Sequence, residues 1–271
     1  MRVYISADLE GISGVVNGVQ TGGDGPEYQR ARRLMTAEVN AAIEGALAAG
    51  AAEVVVNDSH GGMRNILIEE LNPAAKLITG TPKPLVMMEG VQDGFDAVFF
   101  IGYHARAGTP GILNHTISGR AVANIRVDGQ DLGETGINAL IAGYYGAPVV
   151  MVSGDSNLAA EARDFLGNIE AVAVKEANGR FSACCLSTAA AAAAIKEGAI
   201  RALERLGEFQ PKRPPRPASL ELTFFSTAMA DMAENIPGTV RVNPLTVSFT
   251  HEDYIVAFRA IRAMIGLAGT L

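Results

Sequence analysis

The chain has 271 residues, enough for one large domain or two modest ones, and its composition is that of a globular protein with 48% apolar residues. A formal net charge of −7 and the lack of Lys/Arg clusters outside Lys212–Arg216 argue against nucleic acid as a partner. No apolar run reaches the ~20 residues that span a bilayer, and the Ala-rich block Ala189–Ile195 runs straight into Lys196 and Glu197. The segment Met1–Asp8 is too short and too soon acidic for a signal peptide, so a cytoplasmic location is expected. Cys184 and Cys185 are adjacent, which suits neither an ordinary disulfide nor a CxxC metal motif.

In chain order, Val3–Ala7 is a short apolar strand ending in Asp8. Residues Tyr28–Ala49 form a helix, with Ala31, Met35, Val39, Ala42 and Ala46 on one stripe, Pro26 near the start and Gly50 just past the end. Glu53–Asn57 is a second strand, ending in Asp58-Ser59-His60; Lys76–Thr79 is a weaker third; Asp96–Ile101 is a fourth, ending in Gly102-Tyr103-His104. Residues 114–130 interrupt the alternation with a hairpin turning at Asp128-Gly129. Gly133–Tyr145 is helical, Pro148–Ser153 a buried strand, and Thr188–Phe209 a long Ala-rich helix. Pro211–Pro217 breaks the chain. A strand (Leu220–Phe225), a helix (Thr227–Asn235), an extended stretch (Thr239–Phe249) and a final helix (Glu252–Leu267) follow.

This pattern predicts an α/β fold: a largely parallel central sheet flanked by helices, over residues 1–210, with a smaller α+β C-terminal domain over residues 218–271.

The chemistry concentrates where strands end. Asp8 and Glu10, Asp58 and His60, and His104 follow three different strands, and ligands of open α/β sheets bind beyond the carboxyl ends of strands. His115 follows within a dozen residues of His104, and Glu134 opens a predicted helix. Carboxylates and imidazoles without thiolates suit zinc or a similar divalent ion. Asp8, Glu10, His60, His104 and Glu134 are too many for one four-coordinate zinc with an open position, and a carboxylate can bridge two ions.

Each residue also has a plainer role open to it. Asp8 can cap a turn, Asp58 can cap the next element, and Glu134 can compensate a helix dipole. His60 and His104 can be structural, and His251 belongs to the start of the last helix. Arg106 and Lys83 can bind a substrate carboxylate or form structural ion pairs. Thr21–Gly25 is Gly-rich but lacks the Lys-Ser/Thr of a phosphate loop.

The segments Ser6-Ala7-Asp8-Leu9-Glu10-Gly11-Ile12-Ser13-Gly14, Val56-Asn57-Asp58-Ser59-His60, Gly102-Tyr103-His104-Ala105-Arg106-Ala107, Asn114-His115 and Gly133-Glu134-Thr135-Gly136-Ile137-Asn138-Ala139 occur in this order over nearly the whole chain. In them the sequence resembles the zinc-dependent D-aminopeptidases of the DppA (dipeptide operon) type. The resemblance implies two zinc ions per chain, with Asp8 bridging, Glu10 and His104 completing one ion and His60 and Glu134 the other. It implies that His115 is the catalytic residue, a nucleophile in the family, although acid–base work is chemically open to it. It further implies hydrolysis of short peptides with an N-terminal D-residue, such as D-Ala-D-Ala, and a ring-shaped homodecamer enclosing the active sites. The loop Val15–Gly25 departs from the family in length and bears on access to the site. Two other functions remain open: another metal-dependent amidase or L-peptidase on this scaffold, and a peptide-binding protein whose metals are structural.

Overall fold

The computed structural model describes residues 1–271. Its main sheet has seven strands in the order β3-β2-β1-β4-β7-β8-β9: β1 (Arg2–Ala7), β2 (Glu53–Asp58), β3 (Ala75–Ile78), β4 (Ala97–Tyr103), β7 (Val149–Asp155), β8 (Glu170–Gly179) and β9 (Ser182–Cys185). All neighbours are parallel except β8 and β9. The fold is the α/β class read from the sequence, with helices on the parallel sheet.

Alternation along β1 divides the core. Val3, Ile5 and Ala7 join a cluster with α1 (Pro26–Ala48) and α4 (Thr188–Glu204), while Tyr4 joins a second cluster on the opposite face. The α1 stripe Ala31, Met35, Val39, Ala42 and Ala46 is fully buried. Pro26 occupies the first helical turn, and Gly50 takes the left-handed conformation (φ +89°) that ends the helix.

The opposite face carries α2 (Glu134–Tyr144), with α3 (Ser156–Leu166) packing on β7 and β8. Beyond α2 lies a five-stranded antiparallel sheet, β11-β12-β10-β5-β6, with α5 (Thr227–Ala233) and α6 (Tyr254–Ala268) against it. Its strands are β5 (Val122–Val127), β6 (Gln130–Asp131), β10 (Ala218–Phe224), β11 (Val240–Asn243) and β12 (Thr246–His251). Residues 218–271 therefore supply three of its five strands, and the hairpin turning at Asp128-Gly129 supplies the other two. The hydroxyl of Tyr254 on α6 donates to the Ile137 carbonyl on α2, so the C-terminal segment shares one apolar cluster with the main sheet. No helix is long and apolar enough to cross a membrane.

The sequence reading missed three elements in sequence order, α3, β8 and β9. β8 lies between β7 and the edge strand β9, and its apolar run is only four residues, Ala171–Val174, before Lys175 and Glu176.

Candidate metal centre

β1, β2 and β4 are adjacent and parallel, so their carboxyl ends open at one edge. Asp8 follows β1, His60 lies two residues past β2, and His104 directly follows β4. The loop after β1 is pressed onto the end of β4. Asp8 N donates to the Ile101 carbonyl (2.8 Å) and Gly11 N to the Gly102 carbonyl (2.7 Å). A Cβ at Gly11 would collide with the Tyr103 carbonyl, and one at Gly102 (φ +72°) with the Asp8 carbonyl. These two contacts are why Gly appears in both motifs.

Asp8, Glu10, His60, His104 and Glu134 are all buried, and His115 is half-buried. The structure brings the six together. His60 Nδ1 lies 3.1 Å from Asp8 Oδ1 and 2.8 Å from Glu10 Oε2. His104 Nε2 lies 3.5 Å from both Asp8 Oδ2 and Glu134 Oε1. His115 Nε2 lies 3.7 Å from Glu134 Oε1, and its ring stacks on that of His104 with centroids 4.3 Å apart. Two sets converge within ligand distance: Asp8, Glu10 and His104, and His104, His115 and Glu134. His60 sits nearer Glu10 than the ligand grouping implied by the resemblance would suggest.

The three imidazoles share one arrangement. Each places one ring nitrogen on a main-chain carbonyl: His60 Nε2 on Thr21 (2.6 Å), His104 Nδ1 on Ala105 (3.0 Å) and His115 Nδ1 on Leu113 (3.0 Å). The other nitrogen is thereby turned, free of main-chain partners, toward the carboxylates. Metal-ligating histidines are held in this way, because the outer bond sets the tautomer and the ring orientation. Asp8 Oδ2 and His104 Nε2 are buried with no hydrogen-bond partner, and Glu10 Oε2 has only the His60 ring nitrogen beside it. Such a set fits a cation, which satisfies all of these atoms at once.

Electrostatics agree. Burial and the neighbouring Glu10 push the Asp8 carboxyl up to about 7, despite its bond to His60. Burial would lower the pKa of His104, but the Glu134 and Asp8 carboxylates outweigh it and raise that pKa to about 10. Glu134 is lowered to about 2, because His104, His115 and the Ile117 amide outweigh its burial. Crowded carboxylates thus hold protons on His60 and His104, and a divalent ion would displace those protons.

All of the cluster but His104 lines a cavity of about 160 Å³ whose wall also includes Met63, Val86, Ile137, Phe258 and Arg262. The remaining polar residues of the motifs support it from behind. The Tyr103 hydroxyl is 2.6 Å from Ser6 Oγ and 3.0 Å from Asn138 Nδ2.

Other candidates fall elsewhere. The Asp58 carboxylate caps the next loop, accepting from the Asn65 amide, the Ile66 amide and Asn65 Nδ2. Lys83 Nζ donates to Asn57 Oδ1 and the Asp58 carbonyl, both at 2.7 Å. Arg106 lines a separate cleft with Asp131 and Glu161. His251 Nδ1 accepts from the Asp253 amide at the start of α6.

Two residues escaped the sequence reading. Lys175, on β8, is fully buried against the loop after β1 and donates to the Ile12 (2.9 Å) and Val15 (2.6 Å) carbonyls. Arg262, on α6, reaches the cavity one helical turn from Phe258. A lysine at the end of a short apolar run and an arginine on an amphipathic helix carry no signal of these partners.

The chain is 39% identical over 269 residues to a D-aminopeptidase of Bacillus subtilis (strain 168), an alignment covering 99% of this chain and 98% of that protein. It superposes with a TM-score of 0.97, at 38% identity over 100% of this chain and 99% of the other, on the solved structure described as the Zn-dependent D-aminopeptidase DppA from Bacillus subtilis, a self-compartmentalizing protease. Residues 1–263 match the M55 peptidase family, described as D-aminopeptidase, and with a match of that extent the chain belongs to that family.

Proposed function

We propose that this chain is a two-zinc aminopeptidase that hydrolyses short peptides with an N-terminal D-residue, such as D-Ala-D-Ala. The reading rests above all on Asp8. Its Oδ1 faces His60 Nδ1 and its Oδ2 faces His104 Nε2, which is the disposition of a carboxylate that bridges two ions. Glu10 and His104 would complete one ion and His60 and Glu134 the other, and the solved relative is Zn-dependent. Zinc supplies Lewis acidity toward a scissile carbonyl and makes water more acidic.

The chain's own residues do the rest. Leu113 holds His115 through Nδ1, so the reactive atom is Nε2, which faces Glu134. We assign Nε2 the proton transfer from the attacking group to the leaving amine. The small cavity limits the water around the reacting bond, which strengthens every charge interaction inside it. The self-compartmentalizing relative supports assembly into a homo-oligomer; the ring decamer and the cytoplasmic location are part of the proposal.

The test is elemental analysis of the purified protein together with a panel of D-Ala-D-Ala, L-Ala-L-Ala and mixed dipeptides. The expected result is two zinc ions per chain, with hydrolysis restricted to D-residues at the N-terminus and lost on chelation. Preference for L-peptides would point to another metal-dependent amidase. Metal binding without hydrolysis would point to a peptide-binding protein with structural metals. Sedimentation of the native protein tests the decamer.

A further inference from the structure

We propose that Arg262 binds the C-terminal carboxylate of the peptide and thereby sets the preference of this site for short peptides with a free C-terminus; the proposal rests on the aminopeptidase reading above.

The cavity lining carries both signs of charge. Its carboxylates are Asp8, Glu10 and Glu134, and the only arginine or lysine on its whole lining is Arg262. Arg262 is partly buried, makes no ion pair, and its Nε is enclosed with no hydrogen-bond partner. A guanidinium removed from water and left unpaired is costly unless an anion meets it. Its planar fork matches a carboxylate with two parallel N–H bonds.

The surroundings identify which anion. Arg262 also borders a second recess, of about 520 Å³, which contains Lys83 and Arg259 and shares Gly61, Met63 and Val86 with the first. The lining therefore changes character from one recess to the next, from carboxylates that would hold a metal to three cations. A peptide with free termini offers a matching pair of ends, an amine able to ligate a metal and a carboxylate able to pair with a cation. The same wall includes the apolar side chains of Met63, Val86, Ile137 and Phe258, which suit small aliphatic side chains better than charged ones. A two-residue peptide spans about 7 Å when extended, so an anchor inside the metal cavity itself favours the shortest substrates. Longer chains must run on into the cationic recess.

The experiment compares D-Ala-D-Ala with the same dipeptide amidated at its C-terminus, using the zinc-loaded wild type, Arg262→Ala and Arg262→Lys. The expected result is that kcat/KM for the free acid falls about 10- to 100-fold further than for the amide in Arg262→Ala. The change should appear mainly in KM, and Arg262→Lys should recover part of it. Equal losses on acid and amide, or no loss on the acid, would overturn the proposal. If the wild type hydrolyses neither D-peptide, the functional reading falls. The arginine is then judged by ligand-induced Tm shifts with Ala-Ala acids and amides of either chirality. A shift with the acid that Arg262→Ala loses upholds the anchor; equal shifts with acid and amide, or none, overturn it.

Discussion

The ammonium of Lys175, on β8, donates a 2.6 Å hydrogen bond to the main-chain carbonyl of Glu10, a candidate metal ligand 165 positions earlier in the chain. The same ammonium holds the Ile12 and Val15 carbonyls, so one buried charge gathers three carbonyls of the loop that carries Asp8 and Glu10. Burial lowers its pKa to about 8, with the nearby Glu38 carboxylate working in the opposite direction. In Lys175→Met the Glu10 and Val15 carbonyls lose this donor, while the Ile12 carbonyl keeps the Val15 amide. Each unmet buried group costs about 1–3 kcal/mol, so urea titration should show a loss of at least about 2 kcal/mol. Because the loop positions ligands, zinc affinity should fall about 10- to 100-fold, read by competition with a chromophoric chelator. Unchanged zinc affinity in a folded Lys175→Met protein would show that the loop holds its shape without this ammonium.

Glu38, on α1, meets the same loop. Its Oε1 accepts from the Ser13 amide at 2.8 Å and its Oε2 is buried without a partner. Burial raises its carboxyl to about 7 from an ordinary 4.5, only partly offset by Ser13 and Lys175. Between pH 4.5 and pH 7 the folded protein therefore binds this proton more than the unfolded chain does. Stability from this group is fully present below the unfolded value and is lost as pH rises through the folded one, by on the order of 3 kcal/mol. Glu38→Gln keeps the acceptor for Ser13 and removes the titration. The drop in Tm from pH 5 to pH 8, measured at saturating zinc, should be smaller in the variant than in the wild type. Equal drops in the two proteins would sink this assignment.

Much of this architecture is written in local sequence, for identifiable reasons. β1, β2 and β4 are apolar runs ending in Asp8, Asp58 and Tyr103-His104, and parallel pairing alone carries those ends to one edge. Glu134 is legible because the residue before it, Gly133, is a helix N-cap. Asp58 shows the limit of strand-end logic. Its type and position match a ligand, but its fate depends on Asn65 and Ile66 folding back onto it. Lys175 and Arg262 were illegible for a related reason. Their partners lie across the fold, and a cation beside Glu176 or on α6 looks solvated until the loop and the cavity close around it. The five-stranded sheet was only half visible, because the pairing of β10 with β5 joins segments about 90 residues apart.

The Asp58 cap makes its own prediction. Three donors converge on one buried carboxylate, and Asn65 Nδ2 also donates to the His60 carbonyl at 2.7 Å. Asp58→Ala strands those donors, and a loss of at least about 3 kcal/mol is expected by urea unfolding. Asp58→Asn, which retains one acceptor oxygen, should lose less. If the loop is what sets His60, zinc content should fall in Asp58→Ala even where the protein remains folded, and elemental analysis reads this directly. Full zinc occupancy would place the effect on stability alone.

His115 separates binding from chemistry. Its ring is stacked on His104, which supports the site mechanically, yet its own Nε2 points to Glu134 at a longer distance than the His60 and His104 contacts. If it transfers protons, His115→Ala should retain both zinc ions and substrate affinity while kcat falls about 10²- to 10⁴-fold, the usual contribution of a positioned acid or base. Zinc content by elemental analysis, KM and kcat together decide the case. Loss of one zinc would make His115 a ligand, as its convergence with His104 and Glu134 allows. An acyl-imidazole trapped on the wild-type enzyme would make it the nucleophile. Near-normal turnover with both ions in place would remove it from the chemistry altogether, leaving the ring as a packing partner for His104.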